Sequence, residues 1–193
     1  MSRYPVTERS SIILERVKVS ENDRVLARKF DKLYFDGPRH LGYGGYSYNK
    51  KFFTPVVEDI INHYGLTNES SILDVGCGKG FMLHDFKKAL PKCIVSGIDI
   101  SQYCLDKSMK DVKPLLKYGS CDSLPYDDNS FDLVISIATI HNLDLEGVKK
   151  SLKEIMRVTK KYAYIKVNGY KTKKECENLN NWNLVAKTIL HED

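Results

Sequence analysis

Apolar positions along this chain keep two rhythms. In the first they recur every third or fourth residue. Val25, Leu26, Phe30, Leu33 and Tyr34 do so behind Ser20 and Asp23, a pair spaced like a capping box, and predict a helix that stops near Asp36, Gly37 and Pro38. Val56, Val57, Ile60, Ile61 and Tyr64 predict the buried face of a helix over 50–64, with Pro55 in its first turn and Gly65 at its end. Further helices are predicted over 79–90, closed by Pro91, and over 101–110, 145–158 and 175–190. In the second rhythm short apolar runs stand between turn residues. They predict strands over 71–75, 93–98, 115–118, 130–137 and 162–167, the first of them covered on both faces. Residues 1–19 keep neither rhythm and are expected to form a loose arm.

Strands and helices alternate from residue 71 onward. That order predicts an α/β fold, a doubly wound, mostly parallel sheet flanked by helices. At 193 residues the chain is one domain by length, preceded over 1–49 by the arm, a helix and a loop. The loop, His40 to Tyr48, holds three glycines and three tyrosines in nine residues. It reads either as a surface loop packed back on the domain or as a lid, whose rings could lie against a cationic ligand.

The predicted strand at 71–75 runs into Gly76, Gly78 and Gly80 at alternate positions, and a helix follows from about Phe81. Glycine takes positive φ at little cost and lets backbone approach a ligand. The helix start turns its N–H groups and positive dipole end into the same turn. A nucleotide-type site at the carboxyl edge of the sheet follows. The spacing is Asp74-x-Gly76-x-Gly78-x-Gly80, which departs from the dinucleotide fingerprint G-x-G-x-x-G. An anionic Asp74 would repel a pyrophosphate and suits an ammonium or sulfonium group. Asp99, about twenty residues on at the end of the second strand, falls where a carboxylate meets ribose hydroxyls.

The run Ile72-Leu73-Asp74-Val75-Gly76-Cys77-Gly78-Lys79-Gly80 resembles the first motif of the class I S-adenosylmethionine-dependent methyltransferases. The resemblance continues at Gly97-Ile98-Asp99-Ile100-Ser101, at Gly119-Ser120-Cys121-Asp122-Ser123-Leu124-Pro125 and at Ser130-Phe131-Asp132-Leu133-Val134, and covers roughly residues 70–168. It implies a Rossmann-like methyltransferase fold over 50–193, with S-adenosyl-L-methionine as cofactor and S-adenosyl-L-homocysteine as product. It also implies roles for residues of the motifs. Asp74 would orient the methionine ammonium beside Gly76, Cys77, Gly78 and Gly80. Asp99 would bind the ribose, Ile100 would pack on the adenine, and Asp122 would accept from its amino group with Cys121 and Ser123 close by. Ser136, at the end of the fourth strand, would face the methyl donor, Tyr46 would close over it, and His141 is the candidate base. A structural histidine bonding a backbone carbonyl is the plainer alternative.

In one respect the chain departs from the family's pattern, either because it is naturally short or because the final third of a longer protein is missing. The family's sheet normally ends in an antiparallel strand pair, and no room remains for it before Asp193. The fifth strand is then expected at an exposed edge, open to self-pairing into a homo-oligomer. The loss also motivates an alternative function, a cofactor-binding protein without turnover. A nicotinamide-dependent oxidoreductase is disfavoured by the glycine spacing and by Asp74.

Composition narrows the partners. No apolar run approaches a membrane span and the N-terminus has no signal-peptide core, so a cytoplasmic protein is expected. The five cysteines are scattered without a C-x-x-C pair, which argues against a disulfide framework or a zinc site, and no metal-ligand cluster stands out. The net charge is +5, and residues 149–174 hold nine lysines and Arg157 against the single acid Glu154. A solvated helix face explains most of that run. Attraction for an anionic substrate is the sharper reading, with nucleic acid the less favoured partner. A small-molecule methyl acceptor, such as a sugar or amino-acid derivative, is the expectation.

Overall fold

The computed structural model describes residues 19–191; the arm expected over 1–19 lies, apart from Val19, outside them. Five strands form the central sheet. They are β1 (Ser71–Val75), β2 (Ile94–Asp99), β3 (Leu116–Tyr118), β4 (Phe131–Ile137) and β5 (Thr159–Lys166), in the order β3-β2-β1-β4-β5. Every pairing is parallel, with Ile72 opposite both Val95 and Leu133. Among the described residues no antiparallel strand joins β5. A separate two-residue pair links β6 (Gly169–Tyr170) to β7 (Leu190–His191).

The period-two alternation of β1 explains the layers. Ile72 faces Val57 and Ile60 of α3 (Lys50–Tyr64) and Leu83 and Phe86 of α4 (Phe81–Ala89). Leu73 and Val75 face the other way, into a core with Val148, Ile155 and Val158 of α6 (Leu145–Val158). Each of these fully buried side chains contributes about 1.5–3 kcal/mol. Both faces of β1 and β4 are covered, as in a parallel sheet, while the edge strands β3 and β5 are largely exposed. The chain winds away from β1 in both directions, so the carboxyl ends of β1 and β4 open a crevice at the switch in strand order.

The N-terminal helix differs from its prediction. It is two helices, α1 (Glu21–Ala27) and α2 (Lys32–Asp36). Ser20 and Asp23 form the expected capping box. The break falls at Phe30, whose φ of 50° is left-handed, and Asp31 then caps α2. Pro55 lies in the second turn of α3, because Asn49 caps the helix one residue before Lys50. A short α5 (Gln102–Asp106) replaces the helix expected over 101–110. The last helix, α7 (Lys173–Trp182), ends eight residues early. There the Asn183 side chain takes both backbone groups of Ala186 in a tight turn. Leu184 and Val185 then leave the helix path and bury themselves against Ala27, Phe30 and Tyr34.

Candidate functional site

The glycine turn after β1 is held from β2. The amides of Gly76 and Cys77 both donate to the Ile98 carbonyl, at 2.8 and 3.1 Å. The Asp99 carboxylate accepts the Gly78 amide at 2.7 Å and the Ser101 amide at 2.8 Å. Ser101 in turn caps α5 through the Cys104 amide. Gly76 must be glycine twice over. Its φ is +85°, and a Cβ there would lie 2.0 Å from Thr139 Oγ1 in the turn after β4.

Two cavities open beside this turn. The smaller, about 150 Å³, lies among Asp99, Ile100, Gly119, Ser120 and Cys121. The larger, about 380 Å³, lies among Asp74, His141, Asn168, Arg39, Phe52 and Val185. Tyr46, Gly76, Ala138 and Asn142 line both, so the two meet at the turn. The smaller cavity suits an adenosyl group. Asp99 sits on its wall, Ile100 is 51% exposed and presents an apolar face, and Gly78 leaves space that a Cβ, 3.1 Å from the Tyr46 ring, would narrow.

The structure gathers most of the residues singled out in the sequence. Gly76, Gly78, Asp99, Ile100, Cys121 and Tyr46 line the smaller cavity, while Asp74, Cys77 and His141 line the larger. Four others lie off both walls. Gly80 serves as the left-handed N-cap of α4. The Asp122 carboxylate accepts the Ser120 hydroxyl, and Ser123 donates its amide to the Ser120 carbonyl. Ser136 is fully buried, and its hydroxyl has no partner among the described residues. Asp132, from the fourth motif, works at the opposite edge of the sheet. It accepts the Ser71 amide and hydroxyl and so ties the starts of β1 and β4.

Burial sets the charge states. It pushes the Asp74 carboxyl up to about 8, helped by the nearby Asp99, and raises Asp99 against the amides of Ser101, Gly78 and Ile100 that hold it down. It lowers His141 to about 4, with Lys166 adding repulsion. His141 Nδ1 accepts the Asn168 amide in a long 3.4 Å contact, which leaves the proton of the neutral ring on Nε2. Burial also pushes the Cys77 thiol well up, so a thiolate is disfavoured there.

The loop expected as a lid lies against the turn. Asp36, at the end of α2, accepts the Tyr46 amide at 2.8 Å, and Lys79, between two of the turn's glycines, donates to Asp36 at 2.6 Å and to the Tyr46 carbonyl at 2.7 Å. Farther along, Asp85 of α4 accepts the hydroxyls of Tyr48 and Thr54. Sequence reasoning missed Asp36, Lys79 and Asn142. The only signal for Lys79 was its place inside the glycine motif.

Residues 73–166 match the family model described as a methyltransferase domain. An uncharacterized methyltransferase of Schizosaccharomyces pombe is 33% identical over 106 residues, 49% of this chain and 37% of its own length. A second uncharacterized methyltransferase, from Bacillus subtilis, is 35% identical over 95 residues, 47% of this chain and 52% of its own. A tRNA (carboxymethyluridine(34)-5-O)-methyltransferase of Arabidopsis thaliana is 32% identical over 119 residues, 59% of this chain and 27% of its own. The chain thus spans about half or less of the curated relatives it matches. A solved structure from Methanococcus maripaludis, assigned as an S-adenosyl-L-methionine-dependent methyltransferase, shares the fold with a TM-score of 0.53 at 22% identity, over 66% of this chain and 60% of that one. Residues 73–166, just under half of the chain, are thus similar to a methyltransferase domain, and the fold is shared with the Methanococcus structure.

Proposed function

We propose that this protein transfers a methyl group from S-adenosylmethionine to a small molecule held in the larger cavity. The observation that carries the reading is the junction of the two cavities at Gly76, Ala138 and Tyr46. The bound cofactor supplies a methyl group already activated on sulfonium. The protein's task is to hold an acceptor in line beside it and keep water away.

In this reading Asp99 takes the ribose hydroxyls, since each of its oxygens keeps acceptor capacity beyond its amide. Ile100 covers one face of the adenine, with Cys121 at its edge and Asp122 and Ser123 beyond. Ionised Asp74 pairs with the methionine ammonium. Ser136 backs the methyl-donor end from the core of β4. The segment 36–48 acts as a lid through Tyr46. His141 faces the acceptor. The low pKa and the Asn168 contact support a ring that donates from Nε2 and positions the acceptor; as a base it would first have to give up the Asn168 contact. Arg39 and Lys166 on the wall favour an acceptor with an anionic group.

A second reading, an RNA acceptor, is favoured by the Arabidopsis relative and by the lysines between residues 149 and 174. Calorimetric titration with S-adenosylhomocysteine, with NADH as rival ligand and Asp99→Ala as control, tests the cofactor site. Saturable binding lost in the variant supports it; a folded protein that binds neither ligand overturns it. Methyl transfer from labelled S-adenosylmethionine to carboxylated or phosphorylated small molecules, against transfer to tRNA, separates the two acceptors.

A further inference from the structure

We propose that Asp36 and Lys79 form a latch that positions Tyr46 over the cofactor site and couples the lid to the glycine turn. The proposal rests on the cofactor reading of the smaller cavity. Its core is a closed ring of bonds around one residue. The Tyr46 amide donates to one Asp36 oxygen at 2.8 Å, the Tyr46 carbonyl accepts from Lys79 at 2.7 Å, and Lys79 closes the ring on the other Asp36 oxygen at 2.6 Å. Tyr103 of α5 adds its hydroxyl to that same oxygen at 2.7 Å. Both polar groups of the Tyr46 backbone are therefore gripped by charged partners, the strong form of hydrogen bond. The Lys79 ammonium also lies 5.8 Å from the centres of both the Tyr46 and the Tyr103 rings.

Two features make this a positioning device rather than ordinary packing. The first is its placement. Lys79 stands in the turn itself, next to the Gly78 whose amide Asp99 holds, and the Tyr46 ring lies on Gly78 and lines both cavities. A ligand that settles the turn settles the lid, and a settled lid favours the ligand, because such coupling is reciprocal. The second is its chemistry. The Lys79 side chain is 9% exposed and that of Asp36 26%, and an ion pair this sheltered is no better for stability than apolar residues of similar size. What it adds is a fixed geometry for one backbone segment. Burial opposes the charge on Asp36, but the Lys79, Tyr46 and Tyr103 bonds outweigh it and hold its carboxyl below the usual carboxylate range.

The test uses the whole chain. Amide exchange by NMR is measured without ligand, and S-adenosylhomocysteine affinity by calorimetry, for wild type, Lys79→Met, the charge-free pair Asp36→Asn with Lys79→Met, and Tyr103→Phe. The expected result is fast exchange at Tyr46 and its neighbours in the first two variants, unchanged exchange in β1 and β4, and binding weaker by about tenfold or more. Tyr103→Phe leaves no charge without a partner and is expected to give a smaller change of the same sign, so it decides the matter if the other two fail to fold. Unaltered Tyr46 exchange and unaltered affinity in a folded latch variant overturn the proposal, and so does faster exchange spread evenly through the core. If wild type binds no S-adenosylhomocysteine, the cofactor reading fails, while exchange at Tyr46 still decides whether the latch holds the loop.

Discussion

Asp99 and Gly78 meet at 2.7 Å, side chain to backbone, so the end of β2 carries the turn that ends β1. Asp99→Ala removes the partner of two amides, those of Gly78 and Ser101. A buried amide left without an acceptor costs about 1–3 kcal/mol. The variant is expected to melt several degrees lower and to lose S-adenosylhomocysteine binding, as thermal unfolding and calorimetry would read. Full affinity in the variant would remove Asp99 from the site.

The raised pKa of Asp74 gives binding a pH dependence. An ammonium-bearing ligand requires the ionised carboxylate, yet the free protein keeps its proton up to about pH 8. Binding near pH 7 is therefore expected to release a proton and to strengthen as pH rises toward 8. Calorimetry in buffers of different ionisation enthalpy measures the proton directly, and Asp74→Asn should abolish its release. Stability of the free protein runs the other way. The folded state holds this proton where the unfolded chain, with a carboxylate pKa of about 3.9, has lost it, so the Asp74 contribution declines between about pH 4 and 8.

Gly76 and Gly78 should differ in their tolerance of alanine. At Gly78 the added methyl meets only the edge of the Tyr46 ring, at 3.1 Å, and the main cost is left-handed backbone, about 1–2 kcal/mol. At Gly76 the same strain is joined by a clash with Thr139 at 2.0 Å. Gly76→Ala is expected to be the more destabilised of the two in chemical denaturation, and Thr139→Gly should recover part of its loss only. Equal losses would contradict the tight approach of the two turns.

His141 should stay neutral through the physiological range. Its folded pKa, about 4, lies below the ordinary histidine value, so the unfolded chain takes up a proton first as pH falls. The stability it contributes is present above about pH 6.5 and is lost on the way down to pH 4. Ring titration by NMR should find one histidine with this low value, and His141→Gln should remove it together with the matching slope in stability.

The elements legible in the sequence were those with local signals. Ser71–Val75 has a glycine turn at its end, Lys50–Tyr64 a terminal glycine, and Leu145–Val158 apolar residues at helical spacing; all three match their predicted bounds. The breaks were not legible. Phe30 is not a turn residue, and its left-handed φ belongs to a contact with Tyr34 rather than to a propensity. Leu184 and Val185 read as a continuing helix face, whereas they are buried in a cluster with Ala27 at the other end of the described chain. The site divides in the same way. The glycine turn and Asp99 are contiguous motifs, but Asp36 and Lys79 stand 43 positions apart, and no local pattern joins them.

The cover of the larger cavity is made from both ends of the described chain. The Arg24 guanidinium donates to the Asn183 carbonyl, and the amides of Lys187 and Thr188 donate to the His141 carbonyl. The later part of that cover, a strap over residues 183–188, follows residues 71–166, which hold the whole five-stranded sheet. The bonds that hold the glycine turn lie within residues 76–101 and need nothing from the strap. Closing that chamber takes a long-range contact between residues 24 and 183, the kind that carries a loop-closure cost and slows folding.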